Sequence, residues 1–156
     1  MADWRDRRIS LADVADLFGS LEPTVRLEAL VEFGRELPPL PDLMKRLRDR
    51  GVGLVRECES PVFVAGEVAG DLFRIYADTP LEAPVARGFV GLLIALFANQ
   101  PVEEIQSAPV QILEALHLAP VLSLRRTRGL NGIYARIRTA AGAGAEGEPG
   151  AGPVVR

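Results

Sequence analysis

An α+β fold class follows from three observations on the 156-residue sequence. Apolar residues recur at helical spacing between Ser10 and Gly34 and again beyond Pro84. Between these stretches, short runs rich in Val, Phe, Ile and Tyr read as three strands, grouped together rather than alternating with helices. The last two runs flank Glu67-Val68-Ala69-Gly70-Asp71, a turn signal that makes them a hairpin.

Each element has its own justification. Ser10-Leu11-Ala12-Asp13 opens the first helix, with Ser10 as N-cap and an acid three residues on. Leu11, Val14, Leu17 and Phe18 share one face, and Gly19 ends it. A second helix begins near Pro23 and ends at Gly34, with Leu27, Leu30 and Val31 on its apolar side. Leu37-Pro38-Pro39-Leu40-Pro41 excludes helix from its interior. The charged stretch Asp42 to Arg50 suits either one helical turn or a loop. The strand candidates are Val52–Val55, Pro61–Ala65 and Leu72–Ala77.

Pro84 starts a long helix reaching near Asn99, with Val85, Phe89, Leu92, Leu93 and Leu96 buried. Because it is apolar on most faces, it is expected at the centre. Pro101 and Pro109 each start a shorter helix. The last helix runs from about Ser123 to Ala140 and buries Leu130, Ile133, Tyr134 and Ile137. From Ala141 the chain is rich in Gly, Ala, Pro and Glu, with little to bury, and a disordered tail is expected. The organisation is thus one domain over 1–140 and a tail over 141–156.

Apolar residues make up 48% and charged residues 25%, ordinary values for a soluble globular protein. A net charge of −3 gives no general reason to expect nucleic acid or an acidic membrane as partner. Met1 to Arg8 is charged and does not read as a signal peptide. The longest apolar run, Phe89 to Ala98, is far short of the roughly 18 residues that span a bilayer. A cytoplasmic location is the expectation, and the single cysteine argues against a disulfide-stapled scaffold.

That cysteine, Cys58, lies in Leu54-Val55-Arg56-Glu57-Cys58-Glu59-Ser60-Pro61-Val62-Phe63-Val64, a polar turn before an apolar run. A lone thiol forms no internal disulfide and builds no thiolate metal site. It can be a nucleophile or carry a group covalently if it is reachable and ionises. The bland alternative is a small buried hydrophobe. Arg56 favours thiolate, whereas Glu57 and Glu59 oppose it. Arg125, Arg126, Arg128, Arg136 and Arg138 read mostly as a solvated helix face. The first three stand at a helix start, where the dipole does not favour cations, so at least one has a reason to serve another purpose. His117, the one histidine, reads as a packing or capping residue near a helix end. Gly51-Val52-Gly53 lacks the rest of a dinucleotide loop. No Ser-His-Asp pattern or metal-ligand spacing is present.

Four stretches together resemble the SufE family of sulfur-acceptor proteins, which work with cysteine desulfurases in iron–sulfur cluster assembly. Glu32-Phe33-Gly34-Arg35-Glu36-Leu37-Pro38-Pro39-Leu40-Pro41 is similar to the family's helix end and Leu-Pro-x-Leu-Pro segment. Val55 to Phe63 is similar to Val-x-Gly-Cys-x-Ser-x-Val-Trp, with Glu57 for the glycine and Phe63 for the tryptophan. Glu82-Ala83-Pro84-Val85-Ala86-Arg87-Gly88 resembles Asp-Ala-x-Ile-Val-x-Gly at the start of the central helix. Leu122 to Leu130 resembles Leu-Ser-Pro-x-Arg-x-x-Gly-Leu, with Leu124 for the proline.

The resemblance implies a small three-stranded antiparallel sheet packed against about five to six helices, SufE/IscU-like. It implies that Cys58 takes persulfide sulfur from a SufS-like cysteine desulfurase, stimulates it, and passes sulfur toward iron–sulfur scaffold proteins. Arg126 would stabilise the thiolate or persulfide, and Glu57, Glu59, Ser60 and Arg87 would contact the partner. No cofactor or metal is implied for this chain; the pyridoxal phosphate belongs to the desulfurase. No nucleic acid or membrane partner is implied, and monomer and homodimer are both open. Two other readings stand beside it: a non-transferring adaptor of the same fold, and a one-cysteine thiol oxidoreductase.

Overall fold

Ser10 caps the first helix as its sequence suggests. In the computed structural model, which describes residues 9–142 and 154–155, the Ser10 hydroxyl accepts from the Asp13 amide at 3.1 Å. The helix it opens, α1 (Leu11–Ser20), buries Val14 and Phe18. α2 (Pro23–Glu32) follows with proline in its first turn, and its last turn crosses α4 (Pro84–Phe97). The crossing is close because Gly88 lacks a Cβ: one built there would lie 2.8 Å from the Leu30 carbonyl carbon and 2.9 Å from Val31 Cα. Arg87 locks this junction. Its guanidinium donates to the Gly34 carbonyl at 2.7 Å and to the Thr79 carbonyl at 3.1 Å. Nine residues of α4 are buried, so the helix expected to be central is central.

The charged Asp42–Arg50 stretch resolves into α3 (Asp42–Asp49). Its Met44 packs with Phe63 and Ala65, and Leu40, Leu47, Leu54 and Tyr76 close around them. α3 therefore covers one face of the sheet while the main core fills the other. Arg48 ties it to the end of the second strand through Asp78 at 2.8 Å.

The sheet is built on a hairpin of β1 (Phe63–Ala69) and β2 (Leu72–Asp78), in register from Phe63↔Asp78 to Ala69↔Leu72. The turn is tighter than the sequence suggested. Gly70, at φ 64, supplies the positive dihedral of a two-residue turn, and Glu67, Val68 and Ala69 stay in the strand. Glu67 is held there by Tyr76, one diagonal step away, whose hydroxyl donates to its carboxylate at 2.6 Å.

The expected strand Val52–Val55 is corrected. Gly51 (φ 78) and Gly53 (φ 90) break its extension, leaving an isolated Leu54↔Phe63 bridge. The third antiparallel strand is β3 (Gln100–Pro101), which pairs with Leu72 and Phe73 at an edge, where a proline costs no ladder bond. On the other side β4 (Val154–Val155) pairs in parallel with Gly66 and Glu67, giving the order β3-β2-β1-β4.

α5 (Val102–Gln106), α6 (Ile112–Ala115) and a short 3-10 turn at Ala119–Val121 lead to α7 (Leu124–Ala140). The helices number seven among the described residues, against five to six expected, because the Asp42 stretch adds a helix. Most of the tail expected from 141 onward lies outside the described residues. Within it, Ala141 is buried and residues 154–155 are strand. No helix among the described residues is long and apolar enough to cross a membrane.

Candidate functional site

Cys58 sits in the loop between the Leu54 bridge and β1. The loop is anchored at both ends: the Val55 amide donates to the Val62 carbonyl at 2.9 Å, and the Cys58 amide to the Val55 carbonyl at 3.2 Å. This short, tied loop lies along α7. The Cys58 thiol donates to the Gly129 carbonyl at 3.4 Å and is half-buried. The approach depends on two glycines one helical turn apart. A Cβ on Gly129 would fall 3.1 Å from Cys58 Sγ, and one on Gly132 would fall 2.8 Å from the Glu57 carboxylate. Glycine inside a helix costs about 1 kcal/mol relative to alanine, so the pair costs α7 about 2 kcal/mol of helix propensity while leaving a flat trough for residues 57–58.

Ser123 caps α7, its hydroxyl accepting from the Arg126 amide at 3.2 Å. The first turn carries no acid, and Arg125 and Arg126 follow at once. The N-terminal end of α7 thus joins free amide donors to guanidinium groups, an electropositive edge. Between this edge and the start of α4 lies a cleft of about 270 Å³, lined among others by Cys58, Ser60, Glu82, Ala86 and Arg126. A second, shallower cleft of about 380 Å³ opens on the other side of the loop, bounded by Arg56, Glu57, Glu59, Leu124, Arg125 and Arg128. Leu124 is 91% exposed and Leu81 77% exposed, each next in sequence to a cleft-lining residue.

The thiol is not activated in this arrangement. Burial, and then the neighbouring Glu57 carboxylate, push its pKa up to about 11. Arg126 shares the cleft without an ion pair among the described residues, while Arg125 is drawn to Glu59 at 2.9 Å.

The residues singled out from sequence separate into two groups. Cys58, Glu59, Ser60 and Arg126 come together around the first cleft, with Glu57 just behind them over Gly132. Arg87 does not join them, because its guanidinium is occupied at the α2–α4 junction. Arg138 lies over the Tyr134 ring, 5.6 Å from its centroid. His117 takes φ 59 just after α6 and gives its carbonyl to Arg26 at 2.9 Å, so it is a helix-end residue outside the cleft. Sequence reasoning missed the role of Gly129 and Gly132 and the exposure of Leu81 and Leu124. The signal for the first was present in Gly129-Leu130-Asn131-Gly132, two glycines at i, i+3 inside a helical pattern. No group of three or more His, Cys, Asp or Glu able to hold a metal occurs among the described residues.

A profile of the SufE family, described as an Fe-S metabolism associated domain, matches residues 12–141. The chain belongs to the SufE family. It is 34% identical over 129 residues to a SufE-like protein of Mycobacterium tuberculosis, covering 82% of this chain and 88% of that one. It is 28% identical over 106 residues to the sulfur acceptor protein CsdE of Escherichia coli, covering 67% and 68%. The solution structure of a hypothetical protein from Thermus thermophilus shares its α+β fold, with a TM-score of 0.69 and 30% identity over 84% of this chain and 92% of that one. A role in Fe-S metabolism follows from the family.

Proposed function

We propose that this SufE-family protein accepts sulfur on Cys58 from the persulfide of a cysteine desulfurase and carries it to iron–sulfur cluster assembly. The observation that carries this reading is the position of the single thiol, in a tied loop at the mouth of a cleft with a cationic edge. The likeness to a protein named a sulfur acceptor supports it. Chemically, Cys58 thiolate attacks the outer sulfur of the desulfurase persulfide. The sulfur–sulfur bond of the donor breaks, the desulfurase cysteine leaves as thiolate, and a persulfide forms on Cys58 with no net oxidation. Arg126 and the α7 amides balance the negative charge of thiolate and persulfide.

With a pKa of about 11, only about 3 in 10,000 Cys58 thiols are ionised at pH 7.5. Attack therefore requires the loop to leave the trough on α7, which relieves burial and frees the thiol from the Gly129 carbonyl. Docking of the desulfurase over the cleft, with Leu81 and Leu124 as apolar contacts, provides the occasion.

The test is intact mass after incubation with a cysteine desulfurase and cysteine, beside Cys58→Ser. Added sulfur on the wild type alone supports the reading, and Arg126→Ala then loses acceptance while keeping its thiol. One observation favours the adaptor alternative: Glu57 and burial together hold the thiol protonated. An active, bound desulfurase that leaves no sulfur on Cys58 would decide for it.

A further inference from the structure

Residues 57 and 58 meet α7 through two separate contacts. Cys58 meets Gly129, and the Glu57 side chain lies over Gly132 one turn further on. The three atoms nearest to a Cβ built on Gly132 all belong to Glu57: Cδ and Oε2 at 2.8 Å and Cβ at 3.0 Å. Gly132 is thus a seat for one side chain. Around the Glu57 carboxylate stand Arg56 and Glu59 on its own loop and Arg125, Arg126 and Arg128 on α7, with Glu82 facing the thiol from the start of α4. None of the arginines pairs with Glu57 among the described residues; Arg125 is engaged by Glu59. Glu57 is therefore held by its packing on the helix rather than by an ion pair.

We propose that Glu57 is a positioning residue for Cys58: seated on Gly132, it holds the loop in the α7 trough and the thiol against the Gly129 carbonyl. Glu57 thereby sets how readily the reactive sulfur is presented. The burial it enforces, and its own charge, both disfavour thiolate. This deepens the sulfur-acceptor reading and rests on it for its use in the cell, but a small reagent that needs no desulfurase tests it.

The experiment is alkylation of Cys58 in the full-length protein by iodoacetamide, followed by intact mass from pH 7 to pH 10.5. The proteins are wild type, Glu57→Gly, Glu57→Gln, Gly132→Ala and the double variant Glu57→Gly/Gly132→Ala. Gly132→Ala improves helix propensity and obstructs only a side chain that can swing away, so the variant folds, and a thermal melt verifies it. Its methyl unseats Glu57, and alkylation at pH 8 is expected to rise about fivefold or more, with the midpoint of the pH profile shifted down. Glu57→Gly gives a similar rise. The double variant is no faster than the faster single one, because with Glu57 gone the methyl has nothing to displace. Glu57→Gln keeps the seat and stays nearer to wild type than to Glu57→Gly.

The proposal is overturned if Gly132→Ala alkylates within twofold of wild type, if the two single effects multiply in the double variant, or if Glu57→Gln is as fast as Glu57→Gly. Sulfur transfer from a desulfurase with unchanged alkylation in these variants sinks the positioning role alone. The expected alkylation pattern without sulfur transfer sinks the acceptor reading alone.

Discussion

Replacing Gly88 by alanine sets two opposed effects against each other in the same helix. Alanine is the better helix former by about 1 kcal/mol, and by that count α4 should gain. The new methyl, however, would stand 2.8 Å from the Leu30 carbonyl carbon and 2.9 Å from Val31 Cα, nearer still to the Leu30 carbonyl oxygen. Carbon atoms in contact sit about 3.5–4.0 Å apart, so α2 and α4 must separate by nearly an ångström. The obstructing atoms are backbone and cannot turn aside. Separation also stretches the 2.7 Å bond from Arg87 to the Gly34 carbonyl. Overpacking a core costs about 1–3 kcal/mol, more when backbone must move, and here it outweighs the helix gain. The expected net loss is about 1–3 kcal/mol, or a melting temperature lower by about 3–10 °C for a domain of this size. Urea denaturation should show a lower midpoint at an unchanged slope. An equal or higher midpoint would mean that the two helices yield cheaply, and the account of their junction would be wrong.

Other consequences are as direct. Burial pushes the Tyr134 hydroxyl up to about 12, with Arg138 acting in the opposite sense, and burial also raises Tyr76. Both phenols are therefore favoured in their protonated form by folding. The stability tied to Tyr134 is complete below its unfolded value near 10 and is lost as pH rises toward 12. Absorbance at about 295 nm should rise at higher pH in the folded protein than in guanidinium, and coincident curves would refute this. Leu124→Ala removes an apolar side chain that folding leaves in water. It should leave the melting temperature within a degree or two while weakening desulfurase binding about 5- to 30-fold by calorimetry, as for loss of an anchoring leucine. Arg125→Ala breaks an ion pair whose partners are 76% and 69% exposed. Its effect on urea stability should stay under about 0.5 kcal/mol.

The elements legible in the sequence were those with strong local signals. Ser10, Pro23, Pro84 and Ser123 each mark a helix start within a residue, because caps and first-turn prolines act through nearest neighbours. Leu92, Leu93, Ile133 and Ile137 fall in the core, as their spacing requires. What escaped was set by distant partners. Val52–Val55 has strand-like side chains but two positive-φ glycines, and Gln100–Pro101 becomes a strand only because Leu72 and Phe73 offer an edge. Met44 made Asp42–Asp49 a helix by finding Phe63 across the sheet. At the site, Cys58 and Arg126 were visible as chemistry, and the resemblance brought them together. Arg87 looked like a contact residue because a charge in a motif carries no sign of the backbone carbonyls it will satisfy. The trough at Gly129 and Gly132 is a property of a surface, and only the folded helix shows what lies in it.

The presence of one thiol in the whole chain also governs what happens after a transfer. A persulfide near a second cysteine can be attacked internally, discharging sulfide and leaving a disulfide behind. With Cys58 alone, the chain has no such discharge route. Cargo loaded there stays until an external nucleophile arrives, and the choice of recipient passes from the carrier to whichever protein can reach into the cleft.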